Sequence, residues 1–467
     1  MEIVVFAVVA AGFILFGLLR WRQAVWGALF LVLFEGAIRK WLLPQFQAEI
    51  FFLKDFLLLG AYLAYFFRER MGRGLKPFRP HRANALFWMI AALCIVQVAN
   101  PHLPSILVGL LGLQNYLFYI PLMYMVPDLI PDRATLQRFA GWALALSFVP
   151  LVLGPMQFSL PPDHPLNRYA HNVDALNTIA TFGQDHARVT STFSYITGYD
   201  VYLDALFVLV FAFVLLGPPG RFRKTLYAVL GLTIANLLMT GSRAPLLYAG
   251  LCAPLMILAA ASSMKTRDVR KAMLAVCLVP VLLMGVVKVF PEALAAFVNR
   301  TETANDTDKR FEGLIQNPVV AAEQAGVMGW GTGSTYQGAS FVLTPGKSYD
   351  LPPGAEGEWE RIILEIGVVG LALIVASRVL ICLQLWAAYR GAQPALRPLL
   401  LAGLFFTGIS ISSNLVMEHT ASILYFFCAG FAFVALPIER GQAVPIASGL
   451  QRRFVATPPA SILRGAR

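Results

Sequence analysis

Residues 236–250 read NLLMTGSRAPLLYAG, two apolar runs joined by Thr-Gly-Ser-Arg. Glycine and serine at such a junction mark a turn. The stretch is therefore two membrane-spanning helices meeting at a surface, with Arg243 in the turn between them. A guanidinium is always charged and is costly near hydrocarbon. Arg243 must snorkel to lipid head groups, pair with a carboxylate or bind an anion.

The rest of the chain agrees with this reading. Of its 467 residues, 58% are hydrophobic and 13% are charged, against about 25% charged in a soluble domain. The fold class is all-α, a polytopic membrane protein. Apolar runs near 3–19, 24–40, 50–67, 85–99, 104–126, 137–155, 199–217, 224–240, 243–262, 272–290, 360–386, 397–414 and 420–438 predict about 12–13 transmembrane helices. The first run has no basic residue before it and no small-residue cleavage site after it, so it reads as a span rather than a cleaved signal. The five cysteines stand singly in apolar runs. Neither a disulfide framework nor a metal site is suggested, and no cofactor is expected.

The net charge of +11 comes from short basic loops, which the positive-inside rule explains without nucleic acid. The strongest, RERMGRGLKPFRPHR at 68–82, is expected to be cytoplasmic. Residues 221–224, 265–271 and the tail arginines Arg452 and Arg453 fall on the same side when alternate spans are counted. Residues 1–467 then form a single transmembrane domain. Two polar segments face the other side: a first outer loop at 157–198 and a large outer loop with short helices at 291–360.

Arg39, Lys40, Arg188, Arg243, Arg300, Lys309, Arg310 and Arg361 all map to that outer face, where isolated cations are disfavoured. An anion-binding cavity would require several, and the arginine fork suits phosphate oxygens. A membrane-embedded ligand carrying a diphosphate satisfies the pattern. Local pairing is the alternative. Glu35 can reach Arg39 across one helical turn, which leaves Lys40 unexplained, and Glu358, Arg361 and Glu365 share one helical face. Glu356 precedes that helix without a local partner and is a candidate general base. The glycine-rich GWGTG at 329–333 reads as a turn rather than a nucleotide loop. His164, His171, His186 and His419 read as surface or hydrogen-bonded groups, with no triad spacing.

The order of these motifs resembles the O-antigen ligase and O-antigen polymerase-like superfamily of membrane glycosyltransferases. RVTSTFS (188–194) is similar to that family's Arg-x-x-Gly-Thr-Phe stretch, and TGSRAPLL (240–247) to its Ser-Arg turn. RFEGLIQNPVVAAEQAGVMGWGTGS (310–334) resembles its arginine, amphipathic helix and Gly-x-Gly, and EGEWERIILEIGVVGL (356–371) its closing element. Where ligases carry a histidine as the base, this chain has Glu356, which favours a polymerase-like or divergent member.

The resemblance implies an all-helical, GT-C-like fold with a periplasmic cavity in the bacterial inner membrane. It also implies a metal-independent, inverting transfer or polymerisation of a glycan from an undecaprenyl-diphosphate donor, for O-antigen or exopolysaccharide synthesis. Arg243, Arg310 and Arg188, with Arg39 and Lys40, would bind the diphosphate. Glu356, or Glu358, would deprotonate the acceptor sugar hydroxyl. The partners implied are the lipid-linked oligosaccharide donor, a glycan acceptor, membrane lipids and other polysaccharide export components. Ligation to a lipid A core is an alternative activity. A lipid-linked glycan transporter or a non-catalytic assembly partner is an alternative class, although no internal repeat supports a transporter.

Overall fold

The computed structural model describes residues 2–67, 78–170, 181–182, 186–217, 222–261, 279–304, 307–336, 339, 343, 352, 355 and 357–436. Within helices and strands, the side chains of 2–5, 48, 181–182, 300–304, 307–311 and 314–315 lie outside that description. The chain divides into Met1–Ala435, which holds every element named below, and Leu436–Arg467.

The elements are α1 (Glu2–Leu19), α2 (Trp21–Ala37) continuing into a π-helical turn (Ile38–Leu42), α3 (Gln47–Phe67), α4 (Asn84–Val98), α5 (Ile106–Leu117), α6 (Leu122–Leu129) and α7 (Arg133–Phe158). A two-residue ribbon follows, β1 (Thr181–Phe182) antiparallel to β2 (His186–Ala187). Then come α8 (Ile196–Leu216), α9 (Arg223–Met239), α10 (Arg243–Ala261) and α11 (Val279–Val289). The last are α12 (Pro291–Ala304), α13 (Thr307–Ala325), α14 (Glu358–Gly391), α15 (Arg397–Ile409) and α16 (His419–Ala429).

This is a multi-pass helical membrane protein. Among the described residues six helices are long and apolar enough to cross a membrane: α3, α5 with α6, α7, α8, α10 and α14. The pair α11 and α12, bent by 97°, makes a seventh. The expected 12–13 spans correspond to these seven, to the shorter apolar helices in α1, α4, α15 and α16, and to the 17-residue α2 and α9. The apolar runs are helical, but several are cut short. α4 ends before Asn100-Pro101, and α16 ends at Gly430 after 11 residues, roughly 16 Å of helix against a core of about 30 Å.

α8 is central, packing on α9, α10, α15 and α16 and burying Tyr199, Phe207 and Phe211. α10 is peripheral. Its Leu247, Leu251, Leu255 and Leu258 are exposed and recur at helical spacing, so they form one lipid-facing stripe.

Two glycines shape the site. At Gly36 a Cβ would lie 2.2 Å from the backbone of Phe193 and Ser194. Only glycine lets the 190–194 loop sit directly on α2. Gly367 has φ +75°, and the helix breaks there. The break corrects the expectation of one continuous span over 360–386. Glu358 and Arg378 lie 20 positions apart and meet at 2.6 Å, whereas a straight helix would separate them by roughly 30 Å. The stretch 358–366 therefore folds back along the helix that follows it.

Candidate active site

One end of the bundle gathers most of the outer cations anticipated from sequence. The 188–194 loop is its hub. Arg188 donates from Nε to the Thr240 carbonyl at 2.7 Å and from Nη2 to Ser242 Oγ at 2.6 Å. The Val189 amide donates to the Met239 carbonyl at 3.3 Å. The loop is thereby fixed to the tight turn, closed by Gly241 at φ +64°, that leads into Arg243. Arg243 is half-buried and is the first residue of α10. The turn places a guanidinium at a helix N-terminus, where the unpaired amides and the helix dipole favour an anion. Arg188 and Arg243 thus attach to the same turn.

Asp200, which sequence reading missed, faces this turn from α8. It hydrogen-bonds with Ser242 and Thr240 and is attracted by Arg188, while its Oδ1 is buried with no hydrogen-bond partner among the described residues. An apolar helix gives no hint of such a role, because Asp200 finds Thr240 and Ser242 only some 40 residues later in the chain.

Among the described residues, Ser191 is the non-glycine residue with positive φ, +48°. Left-handed backbone is costly for a side-chain-bearing residue and persists only when neighbours fix it. Here Gln157 Oε1 accepts from its amide at 2.7 Å, and the Pro150 carbonyl accepts from its Oγ at 2.7 Å. Lys40 Nζ donates to its carbonyl at 2.5 Å and to Thr190 Oγ1 at 3.0 Å. Lys40 is buried and spent on the loop. The loop thus accounts for Lys40, which local pairing of Glu35 with Arg39 left unexplained.

Beside it, Glu35 holds two cations. Oε1 lies 3.5 Å from Arg39 Nη1, the pairing expected across one turn, and Oε2 lies 2.6 Å from Lys54 Nζ. Arg39 also donates to Ser194 Oγ at 2.9 Å and lies 5.2 Å from the Phe51 ring centroid. Its buried Nε has no hydrogen-bond partner among the described residues. Asp55 accepts from Tyr119 Oη at 2.6 Å and Gln114 Nε2 at 3.0 Å. His419 is buried, with Nε2 2.9 Å from Asn115 Oδ1, and acts as a hydrogen-bonded core group. Glu418 accepts from Thr197 Oγ1 at 3.0 Å. Burial raises the Glu418 carboxyl above its ordinary range, Thr197 and Lys54 partly opposing. Burial, reinforced by the charges of Asp55 and Glu418, pushes the Tyr336 hydroxyl up to about 12. Lys54, Asp55, Tyr336 and Glu418 all escaped sequence reading. The first two sit in an apolar span and are brought together with Glu418 only by tertiary packing.

The folded-back start of α14 closes the site. Glu358 Oε1 meets Arg378 Nη2 and accepts from the Leu415 and Val416 amides at 3.1 and 3.2 Å. Its carboxylate is saturated by structural partners, which does not suit a base that exchanges protons with substrate. Glu365 accepts from the Gly333 amide at 2.9 Å and from Thr335 Oγ1 at 2.6 Å. The expected ladder Glu358–Arg361–Glu365 therefore does not form. Arg361 is left with buried Nε and Nη1 that have no hydrogen-bond partner among the described residues, a donor pair an anion would satisfy.

The break at Gly367 also explains the glycine-rich turn. It frees the carbonyls of Leu364 and Glu365, which accept from the Trp330 and Gly331 amides at 2.7 and 3.0 Å. GWGTG is thus a loop pinned to α14, as the turn reading expected. Arg310 lies in the first turn of α13, its side chain outside the described residues. Glu356 and His171 also lie outside the described residues. His164 accepts from the Leu166 amide at 3.2 Å, and His186 stacks on Phe158 with ring centroids 4.3 Å apart. Among the described residues no cluster of metal-ligating side chains occurs.

No curated protein matches the chain. Residues 228–375 match the family described as O-antigen ligase. The match covers about a third of the chain and encloses Arg243, Arg310, Glu356, Glu358, Arg361 and the folded-back helix. The match supports the O-antigen ligase and polymerase-like superfamily for this domain of the chain.

Proposed function

We propose that the protein transfers or polymerises a glycan from a polyprenyl-diphosphate carrier, of the undecaprenyl type, on the periplasmic face of the inner membrane. The observation that carries the reading is the Thr240–Ser242 turn. It binds Arg188 through two donors and presents Arg243 at the head of α10. A diphosphate there would meet guanidinium groups and a helix N-terminus together. The leucine stripe of α10 runs away from Arg243 along the lipid-facing side. A prenyl chain could lie against that stripe while its head group stays at the turn. Arg39 and Arg361, with unspent buried donors, and Arg310 complete the proposed anion site. Lys40 supports the loop instead.

In the reaction the acceptor hydroxyl oxygen attacks the anomeric carbon as the bond from that carbon to the diphosphate oxygen breaks. The electron pair leaves with the diphosphate, and the arginines stabilise the charge as it develops. The hydroxyl proton passes to a carboxylate, for which we propose Glu356. Attack opposite the leaving group inverts the anomeric centre. Neither a metal nor a cofactor has a step here.

Comparing lipid-linked and polymeric glycan in cells with and without the gene tests the reading. Loss of the gene should deplete the polymer or transferred glycan and raise the lipid-linked pool. Unchanged pools would overturn it.

A further inference from the structure

At the opposite end of the bundle, α2, α7, α8, α15 and α16 enclose a cavity of about 750 Å³ that the proposed reaction does not use. Its walls are apolar, among them Trp26, Leu33, Leu146, Leu206 and Phe427. Its mouth is polar: Arg22, Asp128, Thr135 and Arg138. Along α2 the lining runs from Arg22 to Leu33, roughly 16 Å of helix, about half of a hydrocarbon core of roughly 30 Å. It stops six positions short of Arg39, so the cavity spans one leaflet and does not join the arginine site. Phe30 and Trp142, both in its lining, are 45% and 66% exposed. The cavity is therefore a groove open sideways to the membrane.

The charges at the mouth are unevenly matched. Asp128 is engaged by Arg79 Nη2 at 3.1 Å and Tyr65 Oη at 2.5 Å. Asp132 caps α7, accepting from the Thr135 amide at 2.7 Å, and attracts Arg138. Arg22 donates from Nε to the Asp128 carbonyl at 3.4 Å and lies 4.8 Å from the Trp21 ring centroid. Arg138 donates to Thr135 Oγ1 at 3.0 Å. Of the charged side chains that line the groove, two are guanidinium groups, Arg22 and Arg138, and one is a carboxylate, Asp128, which Arg79 already engages.

We propose that this groove binds one anionic phospholipid of the adjacent leaflet, its phosphate between Arg22 and Arg138 and its acyl chains along α2 and α7. The depth argues for a phospholipid. A membrane-crossing prenyl chain would need a groove that continues past Leu33.

The test uses the full-length protein in detergent, titrated with phosphatidylglycerol or phosphatidylcholine bearing the same brominated acyl chains. Quenching of tryptophan fluorescence is the readout. Phosphatidylglycerol should bind at least about tenfold more tightly, as a charge-assisted contact requires. The double variant Trp26→Phe/Trp142→Phe should lose the quenching that shows this preference. Arg22→Gln with Arg138→Gln should erase the preference, and Arg22→Lys with Arg138→Lys should keep most of it, which separates charge loss from misfolding. Arg223→Gln, at a basic residue that does not line the groove, should leave it intact. Equal affinity for the two lipids in the parent protein would overturn the proposal. So would an Arg223→Gln effect as large as that of the double glutamine variant. Displacement of the lipid by millimolar glycerol 3-phosphate alone would also overturn it, assigning the arginines to a soluble phosphate.

Discussion

Glu358 and Arg378 form a buried ion pair at 2.6 Å within one helical segment that doubles back on itself at Gly367. Removing one partner of such a pair strands the other charge, at a typical cost of about 3–5 kcal/mol. Arg378→Gln and Glu358→Gln should each lower the melting temperature of the purified protein and its level in the membrane. Loss of activity should follow the loss of folded protein. A Glu358→Gln protein that melts like the parent but turns over at least a hundredfold more slowly would instead give Glu358 a chemical role.

Arg188 and Arg243 should both matter to turnover, for different reasons. Arg243→Ala should reduce glycan transfer at least about tenfold at unchanged protein level, since a charge-assisted contact to a diphosphate contributes roughly 1.5–3 kcal/mol. Arg243→Lys keeps the charge without the fork and should recover part of the rate. Arg188→Ala also removes two bonds to the 240–242 turn, so it should reduce both activity and thermal stability. Assays of transfer rate beside melting curves check all three variants.

If Glu356 takes the acceptor proton, Glu356→Gln should slow turnover by about a hundredfold or more, the usual range for general base catalysis being roughly 10²–10⁴. Binding of the lipid-linked donor should be retained. Parent-like turnover would remove Glu356 from the mechanism.

Glu418 supplies a pH signature. Burial raises its carboxyl in the folded protein, so the folded state holds the proton more tightly than the unfolded chain does. The stabilisation is fully present below the unfolded value, about 4.3, and is lost as pH rises through the higher folded value. Glu418→Gln should therefore flatten part of the decline in melting temperature between mildly acidic and neutral pH. An unchanged slope would show that Glu418 is ionised as freely in the fold as outside it.

The charge distribution predicts an orientation, with 291–360 and 68–82 on opposite sides. Cysteines placed at Gln324, which is exposed beyond the middle of α13, and at Gly74 in the basic 68–82 loop should react with an impermeant thiol reagent from opposite sides of the membrane. The native cysteines are replaced first. Labelling from the same side would reverse the assignment.

The helical class and the turn at 240–243 were legible because each depends on neighbours in sequence: apolar run length and Gly-Ser punctuation. Glu35 with Arg39 was legible for the same reason. Lys54, Asp55, Asp200 and Glu418 were not, because a lone charge inside an apolar run looks alike whether its partner is water, lipid or a residue far along the chain. Glu358 was misread because helical periodicity assumes an unbroken helix. One glycine in left-handed conformation exchanges its neighbour Arg361 for Arg378. Several spans are shorter than expected because hydropathy records where a chain is apolar and not where its helix stops.

Lys40 and its acceptors on Thr190 and Ser191 are separated by 150 and 151 positions, and this separation sets an order of biogenesis. At about 5–20 residues per second, the acceptors leave the ribosome roughly 8–30 s after Lys40. Glu35 meets Lys54 only 19 positions on, so that pair can close almost at once. The first three helices can therefore enter the bilayer as a settled hairpin group, while the Lys40 ammonium must wait at the interface. Once α7 and α8 have been inserted, the 190–194 loop can descend onto Gly36 and withdraw that ammonium from water. The assembly around Lys40 is thus completed by a late-made part of the chain closing over an early one.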